Sequence, residues 1–221
     1  MNTFPLTFTI PTDSKDLEFV YWMRPFTVDT LATRYRLNTP YSCLYMQKVI
    51  SYQDRQNSDP SARKSLSFQI TRKNLGDIQD AFAKVSDWFS EEGIKELYGV
   101  NDQGGLMFNM EYRDLKITIA DEFAGTREAL QIVPAPVEIG KGVLEPGVIL
   151  FINRQENAIV LRKYQIVRLI RFIRDFSFVA YDQFAMTCFQ YSLSLGNVLS
   201  QEEVNRIANN QKGANSNFKT Y

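Results

Sequence analysis

Chemistry near neutral pH usually depends on a group that exchanges protons there, and this chain contains no histidine. The usual base beside a Ser or Cys nucleophile is therefore missing, as is the commonest metal ligand. Cys43 and Cys188 are far apart in sequence and fit neither a metal-ligand spacing nor a disulfide framework, so two buried free thiols are expected. There is no G-x-x-x-x-G-K-[ST] phosphate loop, no G-x-G-x-x-G and no G-x-S-x-G elbow. Carboxylate metal chemistry survives these exclusions. Asp121-Glu122 closes a strand-like run, where nuclease carboxylates can sit, and Glu138 or Glu111 could join them. Acid pairs at strand ends are common in turns, however. No catalytic residue, metal or cofactor is assigned, and the chain is read as a non-enzyme.

A second set of residues suits binding. Formal charge is balanced overall, with 25 Lys and Arg against 25 Asp and Glu, but it is not balanced along the chain. Residues 34–73 carry roughly +6, residues 74–146 roughly −8 and residues 147–174 roughly +5. Two basic blocks around an acidic one can fold to a basic and an acidic face. In the first block Tyr35, Tyr41, Tyr45 and Tyr52 are interleaved with Arg34, Arg36, Lys48, Arg55, Arg63 and Lys64. Cations neutralise phosphates, and exposed rings stack bases at about 1–3 kcal/mol each. The candidate nucleic-acid-binding residues are therefore Arg34, Arg36, Tyr45, Lys48, Tyr52, Arg55, Arg63, Lys64, Arg72, Lys73, Arg162 and Lys163. The plainer readings are packing and pairing. A strand tyrosine is commonly a cross-sheet packing residue. Arg168, Arg171 and Arg174 read as a solvated face or as a pairing surface for Asp77, Asp80 and Asp87, in this chain or another subunit, ahead of phosphate contact, and Trp22 and Trp88 read as core or interface anchors.

The elements that must carry these residues predict an α+β chain. The Pro-punctuated residues 1–40 read as an N-terminal arm with short strands such as Leu6–Ile10. Leu44–Tyr52 and the alternating Ser65–Ile70 read as strands joined by a polar loop, residues 53–64. Leu75, Ile78, Phe82, Val85 and Phe89 form an amphipathic helix stripe with Asn74 as its cap. Residues 106–112, 115–119 and 130–133 read as strands, followed by a Pro/Gly-rich loop through Gly147. Val148–Ile152 and Ala158–Leu161 form a hairpin, and a second helix runs from about Arg162 to Phe176. The expected organisation is an arm (1–40), a duplicated strands-plus-helix core (41–178), a C-terminal helical extension (179–210) and a flexible tail (211–221).

The two halves repeat one grammar. Phe68-Gln-Ile-Thr-Arg72-Lys73 runs into the first helix as Ala158-Ile-Val-Leu-Arg162-Lys163 runs into the second. This resembles the Whirly proteins and the wider transcriptional-coactivator-type single-stranded-nucleic-acid-binding fold, over about Leu44 to Phe176. The resemblance implies two antiparallel sheets backed by packed helices, with nucleic acid held by strands and hairpins. Where plant Whirly proteins carry Lys-Gly-Lys-Ala-Ala-Leu, this chain has Met46-Gln-Lys-Val-Ile.

With 44% hydrophobic residues, a chain of this length can bury a sizeable core. No run approaches ~18 apolar residues, and the N-terminus lacks a basic and apolar leader, so a cytoplasmic protein, in the host cytoplasm if viral, is expected. The leading functional reading is a non-catalytic single-stranded nucleic-acid-binding protein, DNA favoured, of phage or viral replication or recombination. The alternative is a structural or adaptor subunit of a virion or other assembly. A homo-oligomer is expected under both.

Overall fold

Residues 6–24, 27–29, 36–38, 41–57, 66–102, 104–123 and 126–195, with 202, 203 and 206, are described by the computed structural model. In chain order the elements are β1 (Leu6–Ile10), β2 (Leu17–Arg24), β3 (Thr27–Asp29), β4 (Arg36–Asn38), β5 (Tyr41–Lys48), α1 (Tyr52–Asn57) and β6 (Ser67–Ile70). Then follow α2 (Leu75–Trp88), α3 (Glu91–Leu97), β7 (Tyr98–Val100), β8 (Leu106–Phe108), β9 (Ile117–Phe123), β10 (Thr126–Gly140), β11 (Val143–Ile152), β12 (Ala158–Arg162), α4 (Lys163–Asp175) and α5 (Phe178–Leu195). The fold is α+β. Two four-stranded sheets have the orders β1-β2-β5-β6 and β12-β11-β10-β9, each a meander in chain order that runs into one amphipathic helix, α2 or α4. Among the described residues no helix is long and apolar enough to cross a membrane.

Backbone contacts divide the chain into two units, one within residues 1–11, 19–45 and 177–221, the other within 12–18 and 46–176. In the first unit, β1 and β2 pair antiparallel from Leu6↔Met23 to Ile10↔Phe19. The short strand expected over Leu6–Ile10 is present, and it pairs with a longer one, β2. Alternation puts Phe8, Ile10, Phe19, Tyr21 and Met23 on one buried face. Against that face stands α5, whose Phe184 meets Phe8 edge-on at 5.5 Å. The Tyr21 hydroxyl donates to Asp182, the one charged residue of α5, so the buried phenol keeps a partner.

In the second unit, α2 and α4 pack as a pair. Ile78, Phe82 and Val85 of α2 and Ile166, Leu169, Phe172 and Ile173 of α4 are buried at the 3–4 spacing of an apolar stripe. Gln79 donates to the carbonyls of Ile173 and Arg174 at 3.0 and 3.2 Å, satisfying acceptors that the end of α4 leaves open. The pairing expected of Arg168 with the acids of α2 gives way to another partner. Arg168 instead reaches Asp13 at 2.6 Å and Arg174 takes its neighbour Asp175 at 2.8 Å.

Three local expectations are corrected. The strand expected over 44–52 stops at Lys48, because Ser51 starts a helix: its hydroxyl accepts the Asp54 N–H at 3.1 Å and donates to the Asp54 carboxylate at 2.5 Å. Tyr52 and the beginning of the expected 53–64 loop are therefore helical. The strand expected over 106–112 ends at Phe108, where Asn109 accepts the Glu111 N–H and a 3-10 turn follows. The largest correction is the Pro/Gly-rich loop, which is an extended ribbon. Strands β10 and β11 pair from Leu130↔Ile152 to Gly140↔Val143, with a register shift between Glu138 and Gly140, around the two-residue turn Lys141-Gly142. Both turn residues have positive φ, 47° and 78°, as a tight hairpin turn requires.

The outer edge of β6 is closed by side chains rather than by a strand. Asn153 donates to the Ser67 carbonyl at 2.7 Å, Glu128 accepts the Gln69 N–H at 2.8 Å and Asn74 donates to the Gln69 carbonyl at 2.9 Å. An exposed edge of this kind would otherwise be a template for pairing. Asn74 also accepts the Thr71 N–H and donates to Asp121, each at 2.8 Å. Its side chain thus holds the β6–α2 junction and makes no cap bond to the helix, which is a different task from the one expected.

Candidate nucleic-acid interface

The β9–β12 sheet has two unlike faces. Period-2 alternation places Leu130 and Ile132 of β10, Val148, Leu150 and Ile152 of β11, and Ile159 and Leu161 of β12 on the side that is buried. The opposite side carries Thr118 and Ala120, Arg127, Ala129, Gln131 and Val133, Ile149 and Phe151, and Ala158, Val160 and Arg162, all exposed or half-buried. This open face has a ring near its middle. Phe151 stands opposite Gln131 on one side and Ala158 on the other, and Gln131 stands opposite Thr118.

Cations flank the ring. Strands β10 and β12 run in the same direction, so Arg127 lies four residues before the Phe151 row and Arg162 four residues after it. At about 3.3 Å per residue the two lie ~26 Å apart along the strands. Arg127 has Glu122 at the register position opposite it, whereas Arg162 has Gly147. Just beyond Arg162 come exposed Lys163 and Tyr164, the latter with 52% of its surface accessible. Gln165 accepts the Arg162 N–H at 2.9 Å and fixes this turn into α4.

The residues expected from sequence divide into groups. Arg162 and Lys163 lie at the corner of this face. Arg72 and Lys73 occupy the equivalent strand-to-helix turn before α2, also exposed, but Lys73 lies 3.8 Å from Asp121. Lys48 donates to the Glu156 carbonyl at 3.3 Å, and the alternation of β5 turns it to the face opposite Tyr45, so those two do not form one surface. Tyr45 is half-buried; Gln47 donates to Glu18, which fixes the shared face, and Tyr45 lies on it with half-buried Trp22. Arg34, Arg63 and Lys64 lie outside the described residues, as do the side chains of Arg36 in β4 and of Tyr52 and Arg55 in α1. The sequence reading missed Arg127, Phe151 and Tyr164. Val148–Ile152 is apolar at every position, so only register tells Phe151 from its buried neighbours, whereas Tyr164 directly follows Arg162-Lys163.

Of the carboxylates singled out as a conceivable metal set, Asp121 is already claimed by protein partners. Asp121 pairs in register with Glu128, on the side of the sheet away from the open face, and both are engaged by Asn74, Lys73 and the Gln69 N–H. Burial and the Asp121 charge raise the Glu128 pKa above its ordinary 4.5. Among the described residues no group of three or more Cys, Asp or Glu could hold a metal ion. Cys43 and Cys188 are both buried and free, and burial pushes the Cys188 thiol up to about 11, which keeps it un-ionised and unreactive at neutral pH. The chain matches no protein-family model, no curated protein and no solved structure.

Proposed function

We propose that this protein binds single-stranded nucleic acid, without chemistry, on the open face of the β9–β12 sheet. The observation that carries the reading is the half-buried Phe151 on a face flanked by Arg127 at one end and by Arg162, Lys163 and Tyr164 at the other. A ring offers any base a stacking surface, and flanking cations meet the phosphates before and after it. The ~26 Å between the two arginines suits several nucleotides, within the span of known single-strand sites. A duplex hides its base faces and cannot use the ring. The reading favours DNA and a role in phage or viral replication or recombination, as the resemblance to the Whirly fold implies.

The test is fluorescence anisotropy with a labelled ~30-nucleotide oligo-dT, an RNA of equal length and a duplex, each at low and physiological salt. Binding to the single strands that weakens steeply with salt, and drops at least about tenfold in Phe151→Ala, supports the reading. No binding at low salt overturns it in favour of a structural or adaptor subunit of an assembly.

A further inference from the structure

We propose, with the single-strand reading above as premise, that Gln131 reads the hydrogen-bonding edge of the base stacked on Phe151 and favours adenine. Gln131 stands directly opposite Phe151 across the β10–β11 pair and directly opposite Thr118 across the β10–β9 pair. Residues so placed have Cβ atoms about 4.5–5.5 Å apart, so the Gln131 amide comes within reach of whatever lies on the ring.

Between the two arginines, the hydrogen-bonding side chains of the β9–β12 strands on this face are confined to that row. The next row towards Arg162 is Val133, Ile149 and Val160, and the next towards Arg127 holds Ala120 and Ala129. On the other flank of Phe151 stands Ala158, which offers only a methyl group. A base on the ring therefore meets a side-chain donor or acceptor in one direction alone, across β10 towards β9.

The Gln131 amide is also unengaged, unlike those at the ends of these strands. Asn153 accepts the Ala129 N–H at 2.8 Å and donates to the Ser67 carbonyl at 2.7 Å. Asn157 donates to the Ile152 carbonyl at 3.1 Å, and Gln165 accepts the Arg162 N–H and donates to the Asp13 carbonyl at 3.0 Å. Those amides hold turns in place. Gln131 is half-buried, as Phe151 is, yet among the described residues its side chain has no hydrogen-bond partner. A polar group that gives up part of its water without gaining a partner is costly, and a ligand that supplies the partner recovers that cost.

The chemistry of the amide selects the base. It presents an acceptor beside two donors. Adenine answers with an amino donor that has a ring-nitrogen acceptor on each side, so either of its edges completes a two-bond pair with glutamine. Cytosine and thymine offer a donor next to an acceptor on one edge only, and one edge of guanine carries two acceptors.

The test is fluorescence anisotropy at low salt with a ~9-nucleotide strand of abasic sugar-phosphates carrying one central base. That base is either adenine or purine, which is adenine without its amino group. Only this base can occupy the ring, and the phosphate contacts of the two strands are the same. The adenine strand should bind at least about fivefold more tightly. Gln131→Leu, close to glutamine in volume, should erase the difference and leave far-UV circular dichroism and the salt dependence unchanged. Phe151→Ala should erase it as well, because the amide reads only a base held on the ring. Equal binding of the two strands by the parent, or a difference that survives in Gln131→Leu, overturns the role of Gln131 and leaves single-strand binding standing. Binding of oligo-dT without binding of the adenine strand does the same. Failure to bind either strand or oligo-dT overturns the premise along with it.

Discussion

Arg72-Lys73 and Arg162-Lys163 occupy the same place in the repeated grammar, the turn from a last strand into a helix, yet their surroundings give them different tasks. Before α2 the turn is tied down: Lys73 faces Asp121, and the next residue, Asn74, is buried with its amide fully engaged. Before α4 the cations are followed by an exposed tyrosine, and Arg162 lies on an open sheet face. A dipeptide motif therefore specifies a location but not a role. The role follows from which neighbours already claim its hydrogen bonds and charge.

Substitutions can separate the two turns. The largest effect is expected from Asn74→Ala, which leaves the Gln69 carbonyl and Thr71 N–H without their partner and should cost about 2–3 kcal/mol, measured by urea denaturation. Tyr164→Ala at the corresponding stage of the other turn should stay within about 0.5 kcal/mol in the same assay. Next in size, Arg162→Ala combined with Lys163→Ala should weaken oligo-dT binding about tenfold and flatten its salt dependence by roughly one to two charges. The matching Arg72→Ala, Lys73→Ala pair should change affinity less than about threefold. Equal losses from both pairs would show that the turns are functionally alike and sink the distinction.

Smaller still, Lys73→Ala should lower stability by less than about 1 kcal/mol, since the Lys73 side chain is 85% exposed and its pairing with Asp121 is screened. The smallest effect concerns Glu128. Its raised pKa means that the folded state holds the proton more tightly than the unfolded chain. The contribution of this group is therefore fully present below pH 4.5 and is lost as pH rises through the window just above it. Glu128→Gln keeps an acceptor for the Gln69 N–H and removes the repulsion from Asp121. The variant should match or exceed the parent at pH 7 by up to about 1 kcal/mol and lose that margin near pH 4, read from thermal melts at both values.

The repeated strands-plus-helix pattern was legible because periodicity is a local signal. Leu75 to Val85 and Ile166 to Ile173 mark their helices directly, and Ser67–Ile70 its strand. The ribbon was not legible, because Pro134, Pro136 and Pro146 are read as loop residues unless pairing parity is known, and parity exists only once both strands are in register. α1 was missed although Ser51 and Asp54 stand at capping-box spacing, since six residues carry too little periodicity to compete with an Asn/Ser/Pro-rich neighbourhood. For the site, cation-rich segments were visible but their neutralisation was not. Nothing near Lys73 in sequence announces Asp121, and nothing near Arg168 announces so specifically Asp13.

The discontinuity of the first unit has a consequence for the order of events during synthesis. Tyr21 and its hydrogen-bond partner Asp182 are separated by 161 positions, so that core closes only after almost the whole described chain has been made. The second unit draws nearly all its residues from one continuous stretch, 46–176, and its sheet is a meander of adjacent hairpins. Short loops close quickly and long ones slowly. A nascent chain emerging from the ribosome can therefore complete the continuous unit while the early strands wait for the last helix.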